Sequence, residues 1–354
     1  MASLQHKTAM GRMSRLLTCL LLGLLCSCVD KLPQDADGIP VNLEYADSEI
    51  INYSEFVDSI TYLDLETTED CLIGKIRNIK FTDSLLVVFD GQSRRILLFD
   101  RKGRFDRQIG RRGEGPHEYI SPITIDIDRE RNHILVLDNA RHAVIRYGFD
   151  GAYIGADSIG VAEDMAYLGN DSYLTVYYND TRERAGVFLV SVNPSSVRRI
   201  VECRDNLPVE KSWEIFRDNE KVSLMSREYE NRLYEWNGDS LVRTLSLAVE
   251  PEPTLSELAE IIKIPCKHVE HFYRLIFCNG KRWYFTYFWK GDDIRFVLGD
   301  KVNNKFKTAK RFINDIDGVA GRALPVCYNG AFVREANGIQ EEDNPRLQFL
   351  HLKR

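Results

Sequence analysis

The sequence has little of what a membrane-spanning or nucleic-acid-binding protein needs. Only one long apolar run is present, over residues 16–25, and the mean hydropathy is -0.30. A polytopic membrane protein is therefore excluded, because each helical span needs about 20 apolar residues. Positive charge is not in excess: 47 Lys and Arg face 53 Asp and Glu, a net charge of -6, which argues against a general nucleic-acid binder. Cysteine is sparse and badly spaced. Beyond the N-terminal segment the cysteines are Cys71, Cys203, Cys266, Cys278 and Cys327, an odd number with no CxxC spacing, so neither a disulfide framework nor a structural zinc site is expected. No GxSxG, P-loop or EF-hand pattern occurs. What is present is 44% hydrophobic residues, enough to fill a core and to exclude wholesale disorder.

The N-terminus reads as an address. Lys7, Arg12 and Arg15 precede the apolar run, as in a secretory signal, and Met13 would serve as a start as well as Met1. Leu25-Cys26-Ser27-Cys28 then resembles a bacterial lipobox, which implies cleavage before Cys28 and lipidation of its thiol. The alternative is an ordinary signal with an incidental cysteine. Several acyl chains on one residue give stable anchoring, since each buried CH₂ contributes roughly 0.8 kcal/mol. Val29, rather than Asp, follows the cysteine, which directs the expectation to the outer membrane. Residues 1–27 are thus expected to be a signal, 28–40 a polar tether and 41–354 the folded part. Loss of the signal removes three positive charges and takes the net charge from -6 to -9.

A repeat of about fifty residues organises the rest. Leu85-Leu86-Val87-Val88-Phe89-Asp90 matches His133-Ile134-Leu135-Val136-Leu137-Asp138, and Gly103 matches Gly151, at a common offset of 48. A third copy starts near Asn170, and degenerate copies follow around residues 233–245 and 282–298. Each copy reads as short strands rich in Val, Ile, Leu, Phe and Tyr. Their turns carry Asp-Gly or Asn-Gly, which tolerate the positive φ of tight hairpins. One small antiparallel sheet cannot bury both its faces; several packed around an axis can, which predicts an all-β, six-bladed β-propeller of four-stranded antiparallel blades. Residues 347–352 would close the ring by pairing with residues 41–45 or 59–65. One inserted helix is expected from the capping box Thr254–Glu257, with Pro265 ending it.

Ile109-Gly110-Arg111-Arg112-Gly113-Glu114-Gly115-Pro116-His117-Glu118-Tyr119, then Pro122-Ile123-Thr124-Ile125-Asp126 and Ile134-Leu135-Val136-Leu137-Asp138, resemble NHL-type propeller repeats. With the lipobox, the chain is similar to six-bladed propeller lipoproteins of Gram-negative gut-type bacteria, and Asp343-Asn344-Pro345-Arg346-Leu347 looks like their closing strand. The resemblance is strong over residues 73–160. It implies a fold and a place rather than a reaction.

Two functions are compatible with such a scaffold, which hosts binders and enzymes alike. The first is a ligand- or protein-binding module at the cell envelope, held to the membrane by lipid on Cys28 and meeting a glycan, a peptide or an envelope protein, with no cofactor. Its site would be one mouth of the ring, with Arg111, Arg112, Glu114 and His117 as ligand-binding residues, the guanidinium groups gripping an anion. The same arginines would otherwise pair with Asp100, Asp106, Glu114 and Glu118 to fix the loop, with Tyr119 packed inside and Glu118 bonding the loop backbone. The second function is a hydrolase or lyase acting on carbohydrate or peptide in the central channel, and only that reading would call for Ca²⁺ or Zn²⁺. His268-Val269-Glu270-His271 lacks the HExxH spacing of a zinc site. The aromatic run Trp283–Trp289 has rings on both faces of its strand, as a strand buried between two blades requires.

Overall fold

The computed structural model describes residues 38–42, 44–177, 186–202, 213–218, 221–226, 232–250, 273–290 and 293–354. The chain first lays down three strands, β1 (Ile39–Asn42), β2 (Ser48–Asn52) and β3 (Val57–Leu63). Blade I follows with β4 to β7 (Ile76–Phe81, Leu85–Asp90, Ile96–Asp100, Phe105–Gln108). Blade II holds β8 to β11 (Pro122–Asp128, His133–Asp138, Ala143–Gly148, Tyr153–Ser158), and blade III holds β12 to β15 (Asp164–Gly169, Ser172–Tyr177, Gly186–Ser191, Ser196–Glu202). Blade IV holds β16 to β19 (Trp213–Asp218, Lys221–Ser226, Arg232–Trp236, Leu241–Glu250), and blade V holds β20 to β23 (Tyr273–Asn279, Trp283–Lys290, Asp293–Asp300, Lys305–Ile313). Blade VI has β24 to β26 (Gly321–Tyr328, Ala331–Ala336, Arg346–Leu352) and takes β3 as its fourth strand. The molecule is a six-bladed propeller of antiparallel blades, as the repeat predicts.

The reason for the continuous apolar runs lies in the alternation of side chains along a strand. In β5, Leu86 and Val88 pack toward blade VI, while Val87 and Phe89 pack toward blade II. In β9, Ile134 and Val136 face blade I and Leu135 and Leu137 face blade III. In β21, Phe285 meets blade VI while Tyr284 and Phe288 meet blade IV, so the aromatic run is core on both faces. Six apolar clusters result, one in each gap between neighbouring blades, and the ring is closed by packing all the way round. Each large side chain fully buried in such a gap contributes about 1.5–3 kcal/mol relative to exposure.

Of the two strand pairings expected for closure, the second is the one formed. β26 pairs antiparallel with β3, with Leu350 opposite Ile60 and Leu347 opposite Leu63. The earlier segment goes elsewhere: β1 runs parallel to β19 on the rim of blade IV, and β2 runs parallel to β23 on the rim of blade V. Strand β1 begins at Ile39, two residues inside the stretch read as tether. The expected helix at 254–264 lies outside the described residues, as does residue 28. Cys71 and Cys327 are buried in the gaps on either side of blade VI.

Candidate functional site

Three places in the ring concentrate polar chemistry: the loop singled out from the sequence, the axis, and a cavity between blades V and VI.

The loop at 109–121 joins the outermost strand of blade I to the innermost strand of blade II. Gly110 has φ +58° and a Cβ there would lie 2.9 Å from the Tyr147 ring, so only glycine fits without strain. Tyr119 is fully buried, and burial pushes its hydroxyl up to about 12. Glu118 accepts the Gly115 amide at 2.8 Å and pairs with Arg111, whose side chain is 79% exposed. These two interactions hold the Glu118 carboxyl below the ordinary carboxylate value, the Gly115 amide contributing most. Arg112 donates to the Ile120 carbonyl at 3.3 Å, and Glu114 is exposed. His117 is an exposed ring stacked on Tyr153, centroids 4.4 Å apart, and its carbonyl accepts the Tyr147 hydroxyl. The four predicted residues therefore share one loop, which is held by its own side chains and by blade II, through Asp138, Arg141, Tyr147 and Tyr153. Arg104 with Asp100 and Arg107 with Asp106 form further ion pairs of the expected kind.

The Asp that ends the second strand of blades I and II has a local task. Asp90 accepts the amides of Lys75 and Gln92, and Asp138 accepts those of Ile120, Ser121 and Arg141. Each buried carboxylate thus ties the incoming interblade loop to the turn that follows it.

The axial cluster has one trace in the sequence, an Asp inside the apolar strand β8. Asp126 is fully buried and lies 3.4 Å from Lys80 Nζ of β4 and 3.0 Å from Arg217 Nη2 of β16, and it accepts the Tyr167 amide of β12 at 2.8 Å. Burial by itself would raise its pKa, but the Arg217 and Lys80 charges and the Tyr167 amide outweigh that and hold it below the ordinary value. Strands β16 and β24 also meet directly, Asp218 opposite Cys327. Among the described residues, no group of three His, Cys, Asp or Glu side chains gathers in a way that could hold a metal ion. The stretch 268–271 lies outside those residues.

The cavity occupies about 270 Å³ in the wedge between blades V and VI. Its walls are largely aromatic: Phe285, Phe296, Phe312 and Phe332, joined by Tyr53 and Phe56 from the chain between β2 and β3. Phe312 stacks on both Phe285 and Phe296, at 5.2 and 5.5 Å. Two cations, Arg322 and Arg334, complete the lining. Arg322 pairs with Glu335 and donates to the Ile76 carbonyl. Arg334 sits 5.3 Å over the Tyr53 ring and donates to the Tyr53 hydroxyl, the Gly321 carbonyl and the Gln348 side chain. Sequence reasoning missed this site; the available signal was Arg334 two residues after Phe332, on the same face of β25.

The chain belongs to the family described as Domain of unknown function (DUF4934), which matches residues 36–352. The solved structure of a Bacteroides fragilis protein assigned as exported is similar to it, with a TM-score of 0.68 at 16% identity, covering 90% of this chain and 99% of that one. A member of the duf4221 family from Bacteroides vulgatus is also similar, with a TM-score of 0.53 at 10% identity over 84% of this chain and 97% of that one. Likeness at these identities shows the fold. No curated protein matches the chain.

Proposed function

We propose that this propeller is a binding module of the cell envelope, held at the outer membrane by lipid on Cys28. The observation that carries the binding reading is the preformed cavity between blades V and VI, whose walls come from two packed sheets and from Tyr53 and Phe56 between β2 and β3. A ligand entering it would order little of the protein, so its contacts would be offset by small entropic costs. The exported Bacteroides fragilis protein of similar fold supports an envelope location. The axial charges do not favour catalysis in the channel: Asp126 is ionised between two cations and fully buried, which suits holding blades together better than exchanging protons with a substrate. The loop carrying Arg111, Arg112, Glu114 and His117 is proposed as a second, rim-side contact for a glycan, peptide or envelope protein.

The test has two arms. Purified full-length protein is screened by thermal shift against glycans, peptides and small acids, and each stabilising compound is then assayed for turnover. Saturable stabilisation with no conversion supports the module; conversion of a bound compound overturns it in favour of a hydrolase or lyase. In cells, Cys28→Ser should move the protein from the membrane fraction to the soluble periplasm, and continued membrane association would remove the lipid anchor.

A further inference from the structure

We infer that the cavity between blades V and VI takes a small monocarboxylic acid with an apolar aryl or alkyl body, its carboxylate on Arg334 and its body among Phe285, Phe296, Phe312 and Phe332. This rests on the binding reading above and names the ligand class of that cavity.

The argument is one of charge and donors. Arg334 is partly buried, and its hydrogen bonds go to neutral oxygens: the Tyr53 hydroxyl, the Gly321 carbonyl and the Gln348 amide. Its neighbour Glu335 is engaged by Arg322. Among the described residues, Arg334 has no carboxylate within ion-pair distance. A partly buried cation is costly when unpaired, and a guanidinium has five N–H donors in a fixed fork. Three of these directions are used, which leaves donors for a carboxylate. Next to it, the cavity offers stacked aromatic rings; the other cation of its lining, Arg322, is already paired with Glu335, so one charged head and an apolar body match it best. The volume, about 270 Å³, is at the low end for small-molecule sites and fits one ring or a medium-length chain.

The experiment uses the full-length Cys28→Ser protein, free of acyl chains, and measures binding of 3-phenylpropionate and decanoate against 3-phenylpropanol and decanol by calorimetry. The acids should bind about tenfold or more tightly than the matched alcohols, the gap expected for one charge-assisted pair. Arg334→Gln should erase most of that gap by weakening the acids far more than the alcohols, and Arg334→Lys should restore part of it. Ala323→Leu, which fills the cavity, should weaken acids and alcohols alike. Circular dichroism and thermal melting check that each variant is folded. Equal binding of acid and alcohol to the parent protein would overturn the anion assignment, and absence of binding by either would overturn the site. Tight acid binding followed by chemical conversion would leave the ligand class standing and overturn the binding-only function.

Discussion

Arg217 Nη2 donates to Asp126 Oδ2 at 3.0 Å, and this contact joins the inner strands of blades IV and II past blade III. Arg217 also reaches the Tyr167 carbonyl of blade III, and Lys80 adds blade I. One buried carboxylate therefore ties four of the six blades together at the centre.

Replacing that carboxylate should be costly. Asp126→Asn keeps the shape but leaves two mostly buried cations without their anion, and a loss of about 3 kcal/mol is expected from denaturant unfolding. The pH dependence has a definite sign. Because the folded pKa lies below the unfolded one, the stabilisation is fully present above about pH 4 and is lost as pH falls through the lower folded value. Wild-type protein should accordingly lose stability more steeply than Asp126→Asn on acidification below about pH 4. Parallel curves for the two proteins would show that Asp126 does not carry this charge in the fold.

Asn344 should be nearly irreplaceable. It is 3% exposed; its side-chain oxygen accepts the Ile73 amide at 2.7 Å, and its nitrogen donates to the carbonyls of Glu66 and Cys71 at 2.7 and 2.9 Å. Asn344→Ala strands three buried backbone groups, at roughly 2–4 kcal/mol in total. Asn344→Asp cannot donate to the two carbonyls when ionised, so it should be at least as damaging at neutral pH and should recover partly in acid. Unfolding of both variants at pH 5 and 7 measures this.

Gly110→Ala should destabilise by about 1–2 kcal/mol, through the left-handed backbone and the clash with Tyr147 together. Gly318→Ala is the control: its φ of +73° is close to that of Gly110, but open space surrounds it, so it should cost less. Equal melting temperatures for the two variants would remove the packing part of the explanation.

Much of the wheel was legible because blade formation is local. The 48-residue offset matches β5 to β9, and alternation along each strand already states that both faces are buried. Closure of the ring by β26 was also readable, from an apolar strand at the end of the chain that needs a partner, but the choice between residues 41–45 and 59–65 was not. Strands β1 and β2 were not readable in this way. They are short, and only distant rim strands define their register. Charge was read less well than pattern. The basic stretch from Arg94 to Arg112 looks like one patch in sequence, yet consecutive hairpin turns alternate between the two ends of a blade. Arg94 and Arg95 thus lie at one end, and Arg101, Lys102 and Arg104 at the other. The axial and cavity arginines, Arg217 and Arg334, escaped because each is a lone cation in an ordinary strand, and only the assembled ring shows what surrounds it.

The early strands also constrain the timing of folding. Ile39 is paired with Leu247, Ser48 with Ala309 and Leu63 with Leu347, so the first segments to leave the ribosome or a translocation pore must wait for the last. Until then they are naked strand edges, the kind of surface that chaperones cover and that aggregates when it is left bare. Such far-apart pairings make for slow, late closure of the wheel.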